Sequence, residues 1–274
     1  MSKVWFITGT SKGFGRIWAQ AALERGDRVA ATARDPRTLD ALVAEHGDAV
    51  MPIALDVTDK AAVDAAVAQA HGHFGRLDVV VNNAGYGLFG AIEEVSEEQA
   101  RAQIETNVFG ALWVTKAVLP ILRAQGSGHV IQVSSIGGIS AFAGIGLYHA
   151  SKWALEGFSQ SLAIEGEPFG INVTIVEPAG YSTDWGTASA VRAEPLEAYE
   201  PMREGLAARR GANRPGDPEA TGPAILEIVD AEQPPLRVFF GDGPLGIARA
   251  DYERRLEEWE QWQDLSVRAH GVPA

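Results

Sequence analysis

The sequence predicts an α/β fold: a single domain with a doubly wound, mostly parallel seven-stranded sheet and helices on both faces. Three observations carry that prediction. Seven short runs are rich in Val, Ile, Leu and Phe with little polar alternation, which suits strands buried on both faces. Most of the stretches between them place apolar residues at helical spacing. No repeat, low-complexity tract or linker interrupts residues 1–180, so the alternation builds one parallel sheet with right-handed crossovers.

The elements follow in order. KVWFIT (3–8) is the first strand, and FGRIWAQAALERG (14–26) has helical period and stops at a Gly. RVAATA (28–33) is the second strand, followed by helix-like LDALVAEH (39–46) and strand-like VMPIALDV (50–57). An Ala-rich helical segment starts at Asp59 and reaches His71. LDVVVNN (77–83), HVIQVSS (129–135), INVTIVEP (171–178) and the short LRVFF (236–240) complete the sheet. Over 181–222 the composition shifts to Ala, Glu, Arg and Pro, which predicts a substrate-side loop or helical insertion over the carboxyl ends of the strands. A last polar helix is expected over 245–264, its Tyr252, Leu256 and Trp259 sharing a face that packs on the body or, as the alternative, forms an interface. The chain 1–274 is read as one domain.

The 274 residues are 46% hydrophobic, enough for a sizeable core, and carry a formal net charge of −13. That charge disfavours nucleic acid and anionic membrane surfaces as partners. Cys is absent, which removes disulfides and thiol nucleophiles and fits a reducing compartment. The sequence has no signal-peptide layout and no apolar stretch of bilayer length. We expect a soluble, cytoplasmic protein with no membrane or nucleic-acid partner. His71 and His73 lie two apart without a third ligand close by, so no metal is expected.

FITGTSKGFG places Gly9, Gly13 and Gly15 directly after the first strand, with Ser11, Lys12 and Phe14 between them. Glycines permit a tight turn and close approach of backbone to ligand. The helix that follows presents free N–H groups and a positive dipole end to a pyrophosphate. The spacing is G-x3-G-x-G rather than G-x-G-x-x-G. At the end of the second strand an acid would accept from the ribose hydroxyls of NAD. This chain has Ala33 there and then Arg34, while Lys12 adds a second cation. Two cations and no acid suit the extra phosphate of NADP, so NADP(H) is the preferred expectation. Asp35 keeps NAD(H) possible if it points inward; otherwise it starts the next helix ahead of Pro36. Asp56, with Val57 beside it, ends the third strand and either accepts from an adenine amino group or caps the next helix. Asn83, Ala84 and Gly85 follow the fourth strand in NNAG (82–85). Gly85 leaves room beside a flat ligand there, although alone the sequence reads as a turn.

YHASKWALEG (148–157) sets Tyr148 and Lys152 one helical turn apart. An ammonium beside a phenol lowers its pKa for proton transfer, from about 10 in the free side chain. Ser134 and Ser135 end the preceding strand and alternate faces, so one of them points into the crevice; Ser134 is expected to pack or cap. The Gly-rich loop after Ser135 leads back to Tyr148.

These motifs, in this order, resemble the short-chain dehydrogenase/reductase family over residues 3 to about 183. TGTSKGFG resembles the family's glycine motif and NNAG its sheet-stabilising motif, while Asn107 in ETNVFG, Ser135, Tyr148 and Lys152 match its catalytic set. The wording of FITGTSKGFG, VAATARDP and IVEPAGYSTDW is most similar to the branch called 17-beta-hydroxysteroid dehydrogenase-like. The resemblance implies a Rossmann-type NAD(P)-binding domain and an oxidoreductase acting on C=O or CH–OH groups. It implies Tyr148 as acid for reduction or base for oxidation, Ser135 as donor to the substrate oxygen, and Lys152 as the group that lowers the phenol pKa and binds the nicotinamide ribose. Asn107 would hold a water linking Lys152 to solvent. The family's Pro-Gly after the sixth strand is Pro178-Ala179 here, so the turn is expected one residue on, at Gly180. Thr183 resembles the residue that bonds the nicotinamide carboxamide.

Tyr86, Phe142, Ile145, Tyr181 and Trp185 lie on loops at the expected crevice, mostly apolar or amphipathic. With Ser135 and Tyr148 they suggest a small hydrophobic carbonyl or alcohol substrate. The resemblance also implies a possible homodimer or homotetramer through helices near 103–120 and 150–165. An NAD-dependent alcohol or hydroxysteroid dehydrogenase is the alternative reading, and a non-catalytic dinucleotide-binding regulator the next.

Overall fold

The structure is a computed structural model that describes residues 2–209 and 214–271. Residues 210–213 of the expected insertion, and the extreme ends of the expected 1–274 domain, lie outside the described residues. Seven strands form one sheet: β1 (Val4–Ile7), β2 (Arg28–Ala33), β3 (Val50–Ala54), β4 (Val79–Asn82), β6 (Gly128–Val133), β7 (Ile171–Pro178) and β9 (Arg237–Phe240). Their order is β3-β2-β1-β4-β6-β7-β9, and every neighbouring pair is parallel. Strand order reverses between β1 and β4, so the crevice opens beyond the carboxyl ends of those two strands.

Two apolar layers cover the sheet, as fully buried strands require. One gathers Trp5, Ile7, Val29, Ala31, Val79 and Val81 under α1 (Gly13–Glu24) and α8 (Thr221–Asp230). The other sets Val4, Phe6, Val80 and Val130 against α3 (Lys60–Phe74) and α5 (Ala111–Gln125). Both buried indoles keep a partner for their N–H. Trp5 Nε1 donates to Asp27 at 2.8 Å, and Trp18 Nε1 donates to Thr221 Oγ1 at 2.8 Å, which ties α1 to α8. Burying each indole contributes roughly 2–3 kcal/mol.

The remaining elements frame the crevice. α2 (Asp40–His46) covers the β2–β3 edge, and α4 (Glu97–Ile104) runs into α5 through a π-helical stretch, Glu105–Gly110. α6 (Gly146–Gly166) lies along β7. A two-residue parallel ribbon pairs β5 (Leu88–Phe89) with β8 (Val191–Arg192), and α7 (Glu200–Arg209) follows it. The C-terminal segment is two helices, α9 (Pro244–Gln261) and α10 (Gln263–His270). Here one expectation fails: Tyr252, Leu256 and Trp259 do not pack on the body but are 47%, 52% and 59% exposed. Arg255, Ala248 and Pro244 face inward instead, so the sequence stripe lies to one side of the buried face.

Candidate active site

The turn after β1 is built by backbone constraints. Gly9 and Gly13 take positive φ, 71° and 59°. A Cβ on Gly15 would stand 2.4 Å from Gly9 O and 2.5 Å from Asn83 Nδ2, so only glycine fits. Asn83 Nδ2 donates to the carbonyls of Thr8 (2.8 Å) and Gly9 (3.0 Å). Thr8 Oγ1 accepts from the backbone N–H groups of Asn83 (2.9 Å) and Ala84 (3.0 Å). NNAG therefore clamps the glycine turn to β4. Lys12 precedes α1 without a side-chain cap, and the first turn of α1 carries no acid. Space around Gly13 is open for a Cβ, and Ser11 and Lys12 are exposed. An uncapped helix start, a positive dipole end and no competing carboxylate fit the pyrophosphate of a dinucleotide.

At the next two strand ends the carboxylates bond locally. Asp35 is turned to Arg37: it accepts from Arg37 N at 3.1 Å and Nε at 2.9 Å, and it caps the short helix Pro36–Leu39. This bonding holds its carboxyl below the ordinary range. Arg34 is exposed and has no ion pair among the described residues. Asp56 Oδ1 accepts from Thr58 N (3.0 Å) and Oγ1 (2.7 Å), while Asp59 caps α3. Val57 is buried and packs on Gly110, whose Cβ would lie 2.6 Å from it.

Three chemical groups meet at the end of β6. Tyr148 and Lys152 lie on one face of α6, 5% and 6% exposed, with Lys152 Nζ 5.7 Å from the phenol ring centre. Lys152 donates to Val133 O at 2.7 Å. Ser135 follows β6 and accepts from Gly137 N at 3.0 Å, and its hydroxyl acts on the phenol pKa. Asn107 sits in the π-helical stretch, where the helix widens as it often does at functional sites. Its Oδ1 accepts from Tyr86 N, and its Nδ2 donates to Tyr86 O and Ser151 Oγ, all at 3.1 Å. A Cβ on Gly85 would come within 3.0 Å of Asn107 Oδ1 and 3.8 Å of Lys152 Nζ, so the three converge.

The expected lowering of the phenol pKa belongs to Lys152 together with the positive charge of the oxidised nicotinamide. The protein by itself does not lower the Tyr148 pKa: burial pushes the phenol up to about 12, with the Ser135 hydrogen bond opposing it. Lys152 is pulled down to about 8 by the same burial, partly offset by Glu156. The resting pair is thus a neutral phenol beside an ammonium with little reserve.

The loop residues separate. Trp185 stacks edge-on to Tyr148 at 4.9 Å and leans on Phe89 at 5.4 Å. Phe142 lies 5.4 Å from the His149 ring, and Ile145 precedes α6, bridged to Gly90. Tyr86 is half-buried, its phenol raised by burial. Tyr181 goes elsewhere: it packs edge-on to Phe14 at 5.1 Å and against Gly216, on the α1 side. Pro178 is buried in β7, and Thr183 Oγ1 accepts from Trp185 N at 3.4 Å. Gly180 is not the displaced turn glycine, since its φ is not positive and an added Cβ meets nothing.

Two features were missed in the sequence. His149 is buried and uses both ring nitrogens: Nδ1 pairs with Gly137 O at 2.8 Å, and Nε2 accepts from Phe142 N at 2.8 Å. It fixes the loop between Ser135 and Tyr148, and burial lowers its pKa. Its place one residue after Tyr148 hid this role. Ser134 packs as expected, 3% exposed, but its neighbour was missed: a Cβ on Gly138 would touch both its hydroxyl and Glu156.

The family model described as short chain dehydrogenase matches residues 3–193. The chain belongs to that family. It is 42% identical over 271 residues to oxidoreductase BOA17 of Botryotinia fuckeliana, covering 97% of this chain and 99% of that one. A crystal structure of a short-chain dehydrogenase from Streptomyces avermitilis is 40% identical, covers 98% of both chains and superposes with a TM-score of 0.92. The 3-ketoacyl-(acyl-carrier-protein) reductase from Brucella melitensis, solved with NADH, is 27% identical over 87% of this chain and 97% of its own, with a TM-score of 0.74. This family member is an NAD(P)-dependent oxidoreductase with a Rossmann-type fold. No described helix is long and apolar enough to cross a membrane.

Proposed function

We propose that the protein is an NADP(H)-dependent reductase that interconverts a hydrophobic ketone or aldehyde and its alcohol, with Tyr148 as general acid/base. The observation that carries this is the Ser135–Tyr148–Lys152 group, its phenol and ammonium buried, beside the clamped glycine turn. Gly9, Gly13, Gly15, Asn83, Ala84 and Gly85 frame the dinucleotide site, and Lys12 and Arg34 supply cations for a 2′-phosphate. Asp35, engaged by Arg37, leaves that place to Arg34. The bound nicotinamide supplies or takes up the hydride.

The chain's own groups do the rest. Ser135 donates to the substrate oxygen as negative charge gathers there. Tyr148 delivers its proton to that oxygen, and a neutral phenol is the state the site favours. The ammonium of Lys152 stabilises the phenolate left behind. Trp185 and its neighbours exclude water and favour an apolar substrate body. The 17-beta-hydroxysteroid dehydrogenase-like branch, a cytoplasmic location and a homo-oligomer belong to the same reading.

The test is a titration of the protein with NADPH and with NADH, followed by nicotinamide fluorescence, then a panel of hydrophobic ketones. Tyr148→Phe is expected to keep NADPH binding and lose turnover by roughly a hundredfold or more. Turnover at the unaltered rate would overturn the assignment. Arg34→Ala is expected to weaken NADPH more than NADH.

A further inference from the structure

Tyr148, Lys152 and Glu156 follow one another at one-turn spacing along one face of α6. The first two act in the reaction proposed above; the third has no part in it. Glu156 is nonetheless buried, its side chain 7% exposed, and its Oε2 accepts from Arg237 Nε at 3.2 Å. Arg237 also donates to Gln160 Oε1 at 3.0 Å. Glu177 of β7 lies against the same guanidinium, with its side chain 1% exposed and Oε1 3.4 Å from Nε. That contact is not a hydrogen bond, and neither oxygen of Glu177 has a hydrogen-bond partner among the described residues. A Cβ on Gly138 would lie 2.6 Å from Ser134 Oγ and 3.1 Å from Glu156 Oε1. The acid cluster therefore reaches the strand end where Lys152 donates to Val133.

We propose that Glu156 is a positioning residue: its carboxylate, fixed by Arg237, is the counter-charge that keeps Lys152 an ammonium, while Glu177 beside it stays neutral. The inference rests on the Tyr148–Lys152 reading and extends it. Two buried carboxylates facing one guanidinium do not both ionise. Burial raises both carboxyls, but Arg237 opposes it at Glu156, which has the hydrogen bond, so charge settles there and drives Glu177 further up. Over the cluster, α9 contributes Arg249, which lines a cavity of about 390 Å³ with Glu177, Arg237 and Tyr252. Arg255 is committed to Ile139 O and Asp251. The groups facing Lys152 from its other neighbours, the Val133 carbonyl, the Tyr148 phenol and the Asn107 amide, are neutral, and Glu156, one turn on, is the carboxylate whose charge raises the Lys152 pKa.

The experiment is the pH profile of kcat for NADPH-dependent reduction of whichever ketone the panel yields. Removing a nearby negative charge lowers the pKa of every group in the site. Glu156→Gln is expected to move the alkaline limb to lower pH by about one unit, a tenfold change in the protonation constant. Glu156→Asp, which keeps the charge, holds the limb in place, and Glu177→Gln moves it less than half as far as Glu156→Gln. A uniform fall in kcat with an unmoved limb would overturn the proposal, as would a shift confined to Glu177→Gln. If Glu156→Gln does not fold, a limb displaced as far by Glu177→Gln as by one unit decides against it, and an unmoved limb in both Glu177→Gln and Glu156→Asp supports it. Absence of turnover with every ketone would instead strike the underlying reading.

Discussion

The two walls of the crevice are built differently. On the nucleotide side, β1, β4 and the glycine turn are fixed by backbone packing and short-range bonds: Gly15 against Gly9, Asn83 against Thr8 and Gly9. On the substrate side, the chain between Tyr181 and Arg209 is held by long-range side-chain pairs. Leu196 N and Arg203 both bond to Glu94 Oε1, Arg192 lies over Phe89 at 4.8 Å, and Trp185 rests on Tyr148. A wall made of close backbone contacts tolerates no added atom. A wall made of side-chain pairs yields in steps. In the function proposed here, this division puts a constant part beside the constant ligand and an adjustable part beside the substrate.

The sharpest way to break the first wall is Gly15→Ala. Its Cβ would meet a backbone oxygen and the clamping Asn83 amide at under 3 Å, and neither is free to move. We expect a loss of roughly 3 kcal/mol in stability, at the upper end for overpacking, and about a hundredfold weaker NADPH binding. Thermal unfolding and nicotinamide fluorescence measure both. An unfolding midpoint within a degree of the parent would show that the turn is soft.

A smaller effect is expected on the second wall from Trp185→Ala. Burial is what raises the phenol of Tyr148 to about 12, and the indole at 4.9 Å supplies part of that cover. Opening it lets water in, so the phenol pKa falls toward 10. The fold stays intact because the indole packs on Tyr148 and on Phe89 of the two-residue ribbon and not on the seven-stranded sheet. Subtracting the ultraviolet phenolate titration of a Tyr148→Phe variant from that of Trp185→Ala isolates this group. KM for a hydrophobic ketone should rise about tenfold, more than kcat falls. A phenol that keeps its high pKa after the indole is gone would place the burial elsewhere.

The same division explains what could be read in advance. RVAATA and INVTIVEP form β2 and β7 over the ranges expected, because buried parallel strands are written as mostly apolar runs. Tyr148, Lys152, Ser135 and Asn107 come together because their elements end at one edge of the sheet. The direction of Asp35 was not legible, since it depends on a two-residue bond to Arg37 that competes with an inward pose. Tyr181 was assigned to the substrate wall from its loop, yet Phe14 and Gly216 offered it a packed site on the other face of the turn. The β5–β8 ribbon left no signal, because two residues of strand lack a period. The phenol's upward shift also lay beyond the sequence, for Tyr–Lys spacing reports a charge nearby and says nothing of how much water is removed.

The walls touch at one exposed contact, and there the smallest effect is expected. Lys12 Nζ lies 3.6 Å from Asp184, with side chains 49% and 59% exposed. A pair so open to water contributes about 0–1 kcal/mol. It also engages the lysine proposed to face the 2′-phosphate. Asp184→Asn removes that competitor without emptying space, so NADPH should bind up to about threefold more tightly at low salt, with NADH gaining less. The gain should vanish as salt screens both charges. Weaker NADPH binding in this variant would mean that the Lys12–Asp184 contact helps assemble the site, and that the two walls are coupled through it.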